Sequence, residues 1–151
     1  MQINLLTLKL GLLLFWSLWF SVVFTTNTFE GLKCLRLLPQ DWKFASDNYT
    51  AITKATSAYS LPGWLNVLLF FGVILWQGLA VALFWRAFLG SLRAGGVDPG
   101  AITTAFAVGL ALWAAFMLAD EVFCFYEAQS NHMLIFISQL ATFLGLYLLP
   151  N

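Results

Sequence analysis

Apolar positions in this chain run in blocks rather than alternating. Residues 5–24, 64–85, 101–119 and 133–149 are apolar almost without interruption, and the charged side chains gather largely between them. Each block supplies about the 17–25 residues that a helix needs to cross a hydrocarbon layer roughly 30 Å thick. A helix satisfies every backbone polar group within its own segment, so it is the form such a block takes in lipid. The expected fold is all-α: a polytopic membrane protein made of one four-transmembrane-helix bundle. Its spans are expected at about 5–26, 64–92, 99–127 and 132–149, with a long, partly helical first outer loop at 27–63.

Local signals refine the boundaries. The first block carries Phe15, Trp16, Trp19 and Phe20 and runs into Thr25, Thr26 and Asn27 with no small-residue cleavage pattern, so it reads as an uncleaved anchor rather than a secretory signal. Trp64 and Trp85 bracket the second block at a separation of about 31 Å at the helical rise, which suits indoles at opposite interfaces. Arg86 snorkels, and the helix is expected to run on to Arg93 before Gly95 and Gly96 stop it. Asp98 caps the third span, with Pro99 at its first position. Within the loop, Phe29, Leu32, Leu35, Leu37 and Leu38 interleave with Glu30, Lys33 and Arg36. That pattern predicts a short amphipathic helix lying in the interface, ended by Pro39. Asp47 is then placed to cap a second short helix running through Lys54.

The third span differs in kind. Ala101, Ala105 and Gly109 recur every fourth residue, and Ala107, Ala111, Ala115 and Ala119 form a second small row beside them. Small side chains let helices approach closely in lipid, where no hydrophobic effect drives association, so this span is expected to be the most enclosed. Gln77 and Gln139 sit near the middle of their spans, where an amide seeks a partner across a helix interface. They read as bundle glue before they read as a substrate site.

Composition narrows the classes. The chain is 61% hydrophobic and only 9% charged, against about a quarter charged in a soluble domain. Its seven Lys and Arg are scattered and its net charge is zero, which leaves no basic footprint for nucleic acid. The expected partners are the lipid bilayer and other integral membrane subunits. Lys9, Arg86 and Arg93 share one side against Asp98 alone, and positive charge beside a short turn orients a span more strongly than charge spread through a long loop. Both termini are therefore expected in the cytoplasm.

Candidate chemistry collects after the third span: Asp120, Glu121, Cys124, Glu127, Asn131 and His132. On a continuing helix Asp120 would stack on Cys124, and Cys124 on Glu127. Carboxylate, thiolate and imidazole are all metal ligands, yet the spacing of Asp120, Glu121, Glu127 and His132 matches no established site. A helix delivering its acids to headgroups and water accounts for the same residues, so no metal is expected. His132 is the one candidate ligand for a bound cofactor; none is predicted, although lipid or pigment would suit the bundle. Cys34 and Cys124 fall on one side, where a disulfide between them and two free, small apolar thiols are both open. No catalytic residue stands out: phosphate-cradling loops, a nucleophile with its base and runs of intramembrane charge are all missing from the sequence.

Five pieces taken together resemble a known pattern: Thr26, Asn27 and Thr28 at the exit of the first span; Thr50, Ala51 and Ile52 in the loop; Trp76 and Gln77; Trp113; and the run from Glu121 through Val122, Phe123, Cys124, Phe125 and Tyr126 to Glu127. Their order is similar to that in an uncharacterised family of bacterial small integral membrane proteins, domain of unknown function 2165. Thr50, Gln77, Val122, Tyr126 and Glu127 depart from the family pattern. The resemblance implies a four-helix membrane fold in a bacterial inner membrane, cytoplasmic or photosynthetic, and no activity. Four-span proteins with paired loop cysteines and a Trp-x-x-Leu-Trp motif, or with a Cys-Cys-Gly in a large second loop, are excluded by the absence of both. The expected role is non-catalytic: an accessory, assembly or stabilising subunit of a larger membrane complex. A self-assembling small-solute or ion pathway is the alternative, and a membrane enzyme using the acidic cluster is third.

Overall fold

A computed structural model describes residues 4–149. Every described regular element is helical: α1 (Leu5–Cys34), α2 (Asn48–Thr56) followed by a single 3-10 turn (Ser57–Tyr59), α3 (Gly63–Ala94), α4 (Pro99–Val122) and α5 (Gln129–Leu148). Four of them, α1, α3, α4 and α5, are long and apolar enough to cross a membrane. The chain is thus a four-helix integral membrane protein suited to a lipid bilayer.

The helices run up and down in chain order, with α1 packed on α3, α3 on α4, and α4 on α5. A row of rings ties all four together near the end that carries the termini. Phe20 of α1 stacks on Phe84 of α3 with centroids 5.1 Å apart. Phe84 meets Phe106 of α4 edge-on at 5.0 Å, and Phe106 meets Phe143 of α5 at 5.5 Å. Ala80, Ala87 and Ala105 are fully or almost fully buried among them, which leaves room for the rings to interdigitate.

Two element boundaries differ from the sequence expectation. The separate amphipathic helix over Phe29 to Leu38 does not form, because α1 continues unbroken to Cys34. Nothing between Thr25 and Lys33 interrupts it. The hydroxyls of Ser17, Ser21, Thr25 and Thr28 each donate to the carbonyl four residues back, at 2.7–2.8 Å, so the polar stretch satisfies itself within the helix. In turn, α4 ends at Val122 rather than near residue 127. The stacking of Asp120, Cys124 and Glu127 along one helix is therefore lost.

Three left-handed residues cause the helix stops on α1, α3 and α4. Arg36 (φ 58°), Gly95 (φ 64°) and Cys124 (φ 51°) each follow a final helical turn. After α1, Leu37 N–H reaches back to the Leu32 carbonyl and Arg36 N–H to Lys33; after α4, Phe125 reaches Asp120 and Cys124 reaches Glu121. These bonds satisfy carbonyls that the ending helix would otherwise leave orphaned. Only the stop at Gly95 carries the usual glycine.

Cys34 and Cys124 are not bridged in the structure. Both cysteines are free and exposed. The intervening α2 begins beside Glu30, near Cys34, and reaches Glu127, near Cys124, with Lys54.

Candidate functional site

The polar face of the molecule is built on the extension of α1. Asn27 and Glu30 lie three residues apart on one helical face, and both are buried. Asn27 Nδ2 donates to Gln77 Oε1 on α3 at 2.8 Å, and its Oδ1 accepts from Asn48 Nδ2 at 2.7 Å and from the Ser46 hydroxyl. Glu30 accepts from the Ser46 hydroxyl, from Asn48 N–H at 2.8 Å and from Tyr49 N–H at 2.9 Å. Asp47 occupies the N-cap of α2 but makes no side-chain capping bond. The cap is supplied instead by a carboxylate from another helix, set where the helix dipole favours negative charge.

Held at its start by Glu30, α2 lies over the loop end of the bundle. Its far end is fixed by three contacts: Lys54 pairs with Glu127 at 2.7 Å, Thr56 Oγ1 donates to Asn66 Oδ1 at 2.8 Å, and Tyr59 Oη donates to the Val122 carbonyl at 2.7 Å. Beneath it the four spans line a half-open cavity of about 770 Å³. Small residues on its walls, Gly72, Ala115 and Ala119 from the spans and Ala51 and Ala55 from α2, leave the volume unfilled. The rest of the wall is strongly aromatic, with Trp19, Phe70, Trp76, Trp113, Phe116 and Phe123 among its residues.

Polar groups stand on two walls. On the α4 and α5 side, His132 Nδ1 lies 2.7 Å from Asp120 Oδ2. Asp120 is at the last turn of α4 and His132 at the first turn of α5, and the turn led by Cys124 brings them together. The imidazole stacks on Phe116 with centroids 4.9 Å apart and 23° between planes. With a carboxylate accepting the Nδ1 proton, a neutral imidazole keeps Nε2 as an acceptor. Nε2 has no hydrogen-bond partner among the described residues. On the α1 and α3 side, Gln77 is buried with its Oε1 taken by Asn27, which leaves its amide N–H groups without a partner there. Both residues line the cavity.

The acidic cluster read from the sequence is therefore divided. Asp120 and His132 meet at the cavity, with Asn131 on its rim. Glu121 turns to Gln129 and Tyr126, where its carboxylate, followed by the Cys124 thiol, pushes the Tyr126 phenol above its ordinary value. Glu127 turns to Lys54. Among the described residues no three of His, Cys, Asp or Glu converge as a metal-binding group. His132 Nε2 is the atom best placed to meet a bound molecule.

The packing residues also separate. Ala105 and Gly109 are buried and Ala101 half-buried, whereas Ala107 and Ala111 in the second small row are exposed. Ala115 and Ala119 of that row border the cavity, so they hold space open instead of closing it. At Gly109 a Cβ would fall 2.6 Å from Gln139 Nε2 and 2.8 Å from Oε1, so the amide occupies the space that glycine vacates. Gln139 is fully buried with no hydrogen-bond partner among the described residues, unlike Gln77. The network of Asn27, Glu30, Ser46 and Asn48 was not singled out in the sequence; its signal is the spacing of Asn27 and Glu30 ahead of Gly31, whose missing side chain lets Ile74 and Phe71 approach to within 3.2–3.4 Å of where a Cβ would sit. Comparison of the chain with family models, curated proteins and solved structures returned no match.

Proposed function

We propose that this chain is a non-catalytic membrane protein that holds a lipid-like amphiphile at the loop end of its bundle, as an accessory or stabilising subunit of a larger membrane complex. The observation that carries the reading is the cavity of about 770 Å³. It falls within the roughly 300–1,000 Å³ of ligand sites, which combine apolar walls with a few placed polar groups. The alternative of a solute pathway needs Gln77 and Gln139 on one pore, and it is weakened by their separation: Gln77 lines the cavity, and Gln139 is packed on Gly109. As for an enzyme, no described Ser or Cys side chain hydrogen-bonds to His132.

Kinship with the bacterial small integral membrane proteins belongs to the same proposal, and with it a bacterial inner membrane as the location. So does a cytoplasmic position for both termini, supported by the exposed Arg86 and Arg93 around the short α3–α4 turn. Native mass spectrometry after gentle detergent extraction tests the main reading. The expected spectrum contains the chain with one retained lipid-like mass and with partner subunits; a bare chain under every mild condition sinks the proposal. The native cysteines report the orientation, since both are exposed at the loop end. An impermeant maleimide is expected to label them from outside intact cells, and protection of both until the cells are opened reverses the assignment.

A further inference from the structure

Two of the unpartnered polar groups on the cavity walls, those of His132 and Gln77, differ in kind. In its neutral form His132, with Nδ1–H donating to Asp120, presents Nε2 as a hydrogen-bond acceptor. The Gln77 amide donates, because its oxygen is already taken by Asn27. His132 lies on α5 beside α4 and Gln77 on α3 beside α1, and aromatic residues make up much of the lining they share. A phospholipid phosphate would find no exposed cation on these walls: the nearest lysine of α2, Lys54, is committed to Glu127. A simple acyl chain would leave both polar groups unpaired, at a cost for each in an apolar setting. Flat rings stack on Trp and Phe faces, and a ring carrying an oxygen on each of two edges offers both a donor for His132 and an acceptor for Gln77.

We propose, resting on the amphiphile-holding reading above, that the occupant is a lipophilic ring compound of the hydroquinone class, one hydroxyl donating to His132 Nε2 and the opposite oxygen accepting from the Gln77 amide. Phe116 holds the imidazole edge toward the ligand by stacking, and Asp120 is a positioning residue that acts through His132. The ring sits among the aromatic side chains, and its apolar tail leaves toward lipid along the exposed Leu68 and Leu69 of α3, which border the same cavity. The step is binding alone, with no bond made or broken.

The test uses the full chain in phospholipid nanodiscs, with decyl-substituted hydroquinone and its dimethyl ether as probes and quenching of the cavity tryptophans, Trp19, Trp76 and Trp113, as the signal. The hydroquinone is expected to bind at least about tenfold more tightly than the ether, which cannot donate to Nε2. His132→Phe keeps the aromatic stack and removes the acceptor; it is expected to erase that difference by weakening the hydroquinone alone. Because His132→Phe strips Asp120 of its partner, Asp120→Asn is measured beside it; its amide oxygen still accepts from Nδ1–H, and a loss of about threefold or more for the hydroquinone alone is expected. Equal binding of both probes to the wild type, or wild-type hydroquinone affinity in both folded variants, overturns the ring-compound proposal. A retained phospholipid that the hydroquinone fails to displace also overturns it while leaving the amphiphile reading standing. Failure of both probes, together with a bare chain in native mass spectrometry, removes both.

Discussion

The same four spans behave differently at their two ends. Toward the termini they close on a packed core in which Leu13, Phe20, Phe84, Ala105 and Phe106 are essentially inaccessible. Toward the loops they part around a cavity and need a fifth helix, α2, to cover it. Both ends use small residues, but with opposite results. Ala80, Ala87 and Ala105 are buried in one cluster with Phe20, Phe84 and Phe106, so the rings fill the space that the small side chains leave. Gly72, Ala115 and Ala119 line the cavity together with Ala51 and Ala55 of α2, so the volume stays open. In lipid, where packing rather than hydrophobicity drives helix association, complementarity of large against small decides whether a row of alanines closes a bundle or hollows it.

The greatest expected effect comes from removing the cover. Glu30→Ala leaves the N–H groups of Asn48 and Tyr49 without their acceptor and takes a partner from Ser46. A loss of about 2–4 kcal/mol is expected, since hydrogen bonds to a buried charge are the strong ones. Thermal unfolding in detergent measures it, and limited proteolysis is expected to find new cleavage between residues 36 and 62. Asp47→Ala, at the N-cap itself, is expected to change stability by less than about 0.5 kcal/mol because its side chain makes no capping bond. The reverse ranking would show that α2 is held by its own cap and that the loop end does not depend on α1.

This pair also marks where sequence reading runs out. The four spans were legible because lipid demands long, uninterrupted apolar runs, and the cap of Asp98 on α4 because it is local: its carboxylate reaches Gly100 and Ala101, two and three residues on. The covering helix was placed correctly over residues following Asp47, but the group that caps it comes from 18 residues upstream, and no local pattern encodes that. The end of α4 was missed for a related reason. Glycine announces a left-handed stop at Gly95, whereas Cys124 adopts the same conformation with a side chain that carries no such signal. That unannounced stop is what folds His132 back onto Asp120, so the candidate site was visible as residue types and not as a pair.

A second pair of substitutions tests the large-against-small argument directly. Ala105 is fully buried in the closed core, and Ala105→Phe is expected to cost about 1–3 kcal/mol, because extra volume there forces neighbouring rings off their rotamers. Ala119→Phe places the same side chain on the wall of the cavity. It is expected to leave thermal stability within about 1 kcal/mol of the wild type, since the added ring enters space already open, and to reduce retention of any bound amphiphile. Equal destabilisation by both would mean that the cavity collapses around its alanines in solution, and the contrast between the two ends would disappear.

The smallest effect belongs to the outer fastening of the cover. Lys54 and Glu127 pair at 2.7 Å, but their side chains are 59% and 68% exposed. Attraction between such charges is screened by water and salt, and ordering two long side chains offsets part of it. Lys54→Met is therefore expected to cost at most about 1 kcal/mol, and its coupling to Glu127→Gln in a double-mutant cycle should shrink as salt is raised. Lys54 also lies 5.6 Å from the centre of the Phe125 ring, a contact that survives when Glu127 alone is changed. A residual destabilisation by Lys54→Met in the Glu127→Gln background would assign that remainder to the ring. A coupling well above 1 kcal/mol that salt leaves untouched would place the pair out of water, and α2 would then be clamped as firmly at its end as Glu30 clamps it at its start.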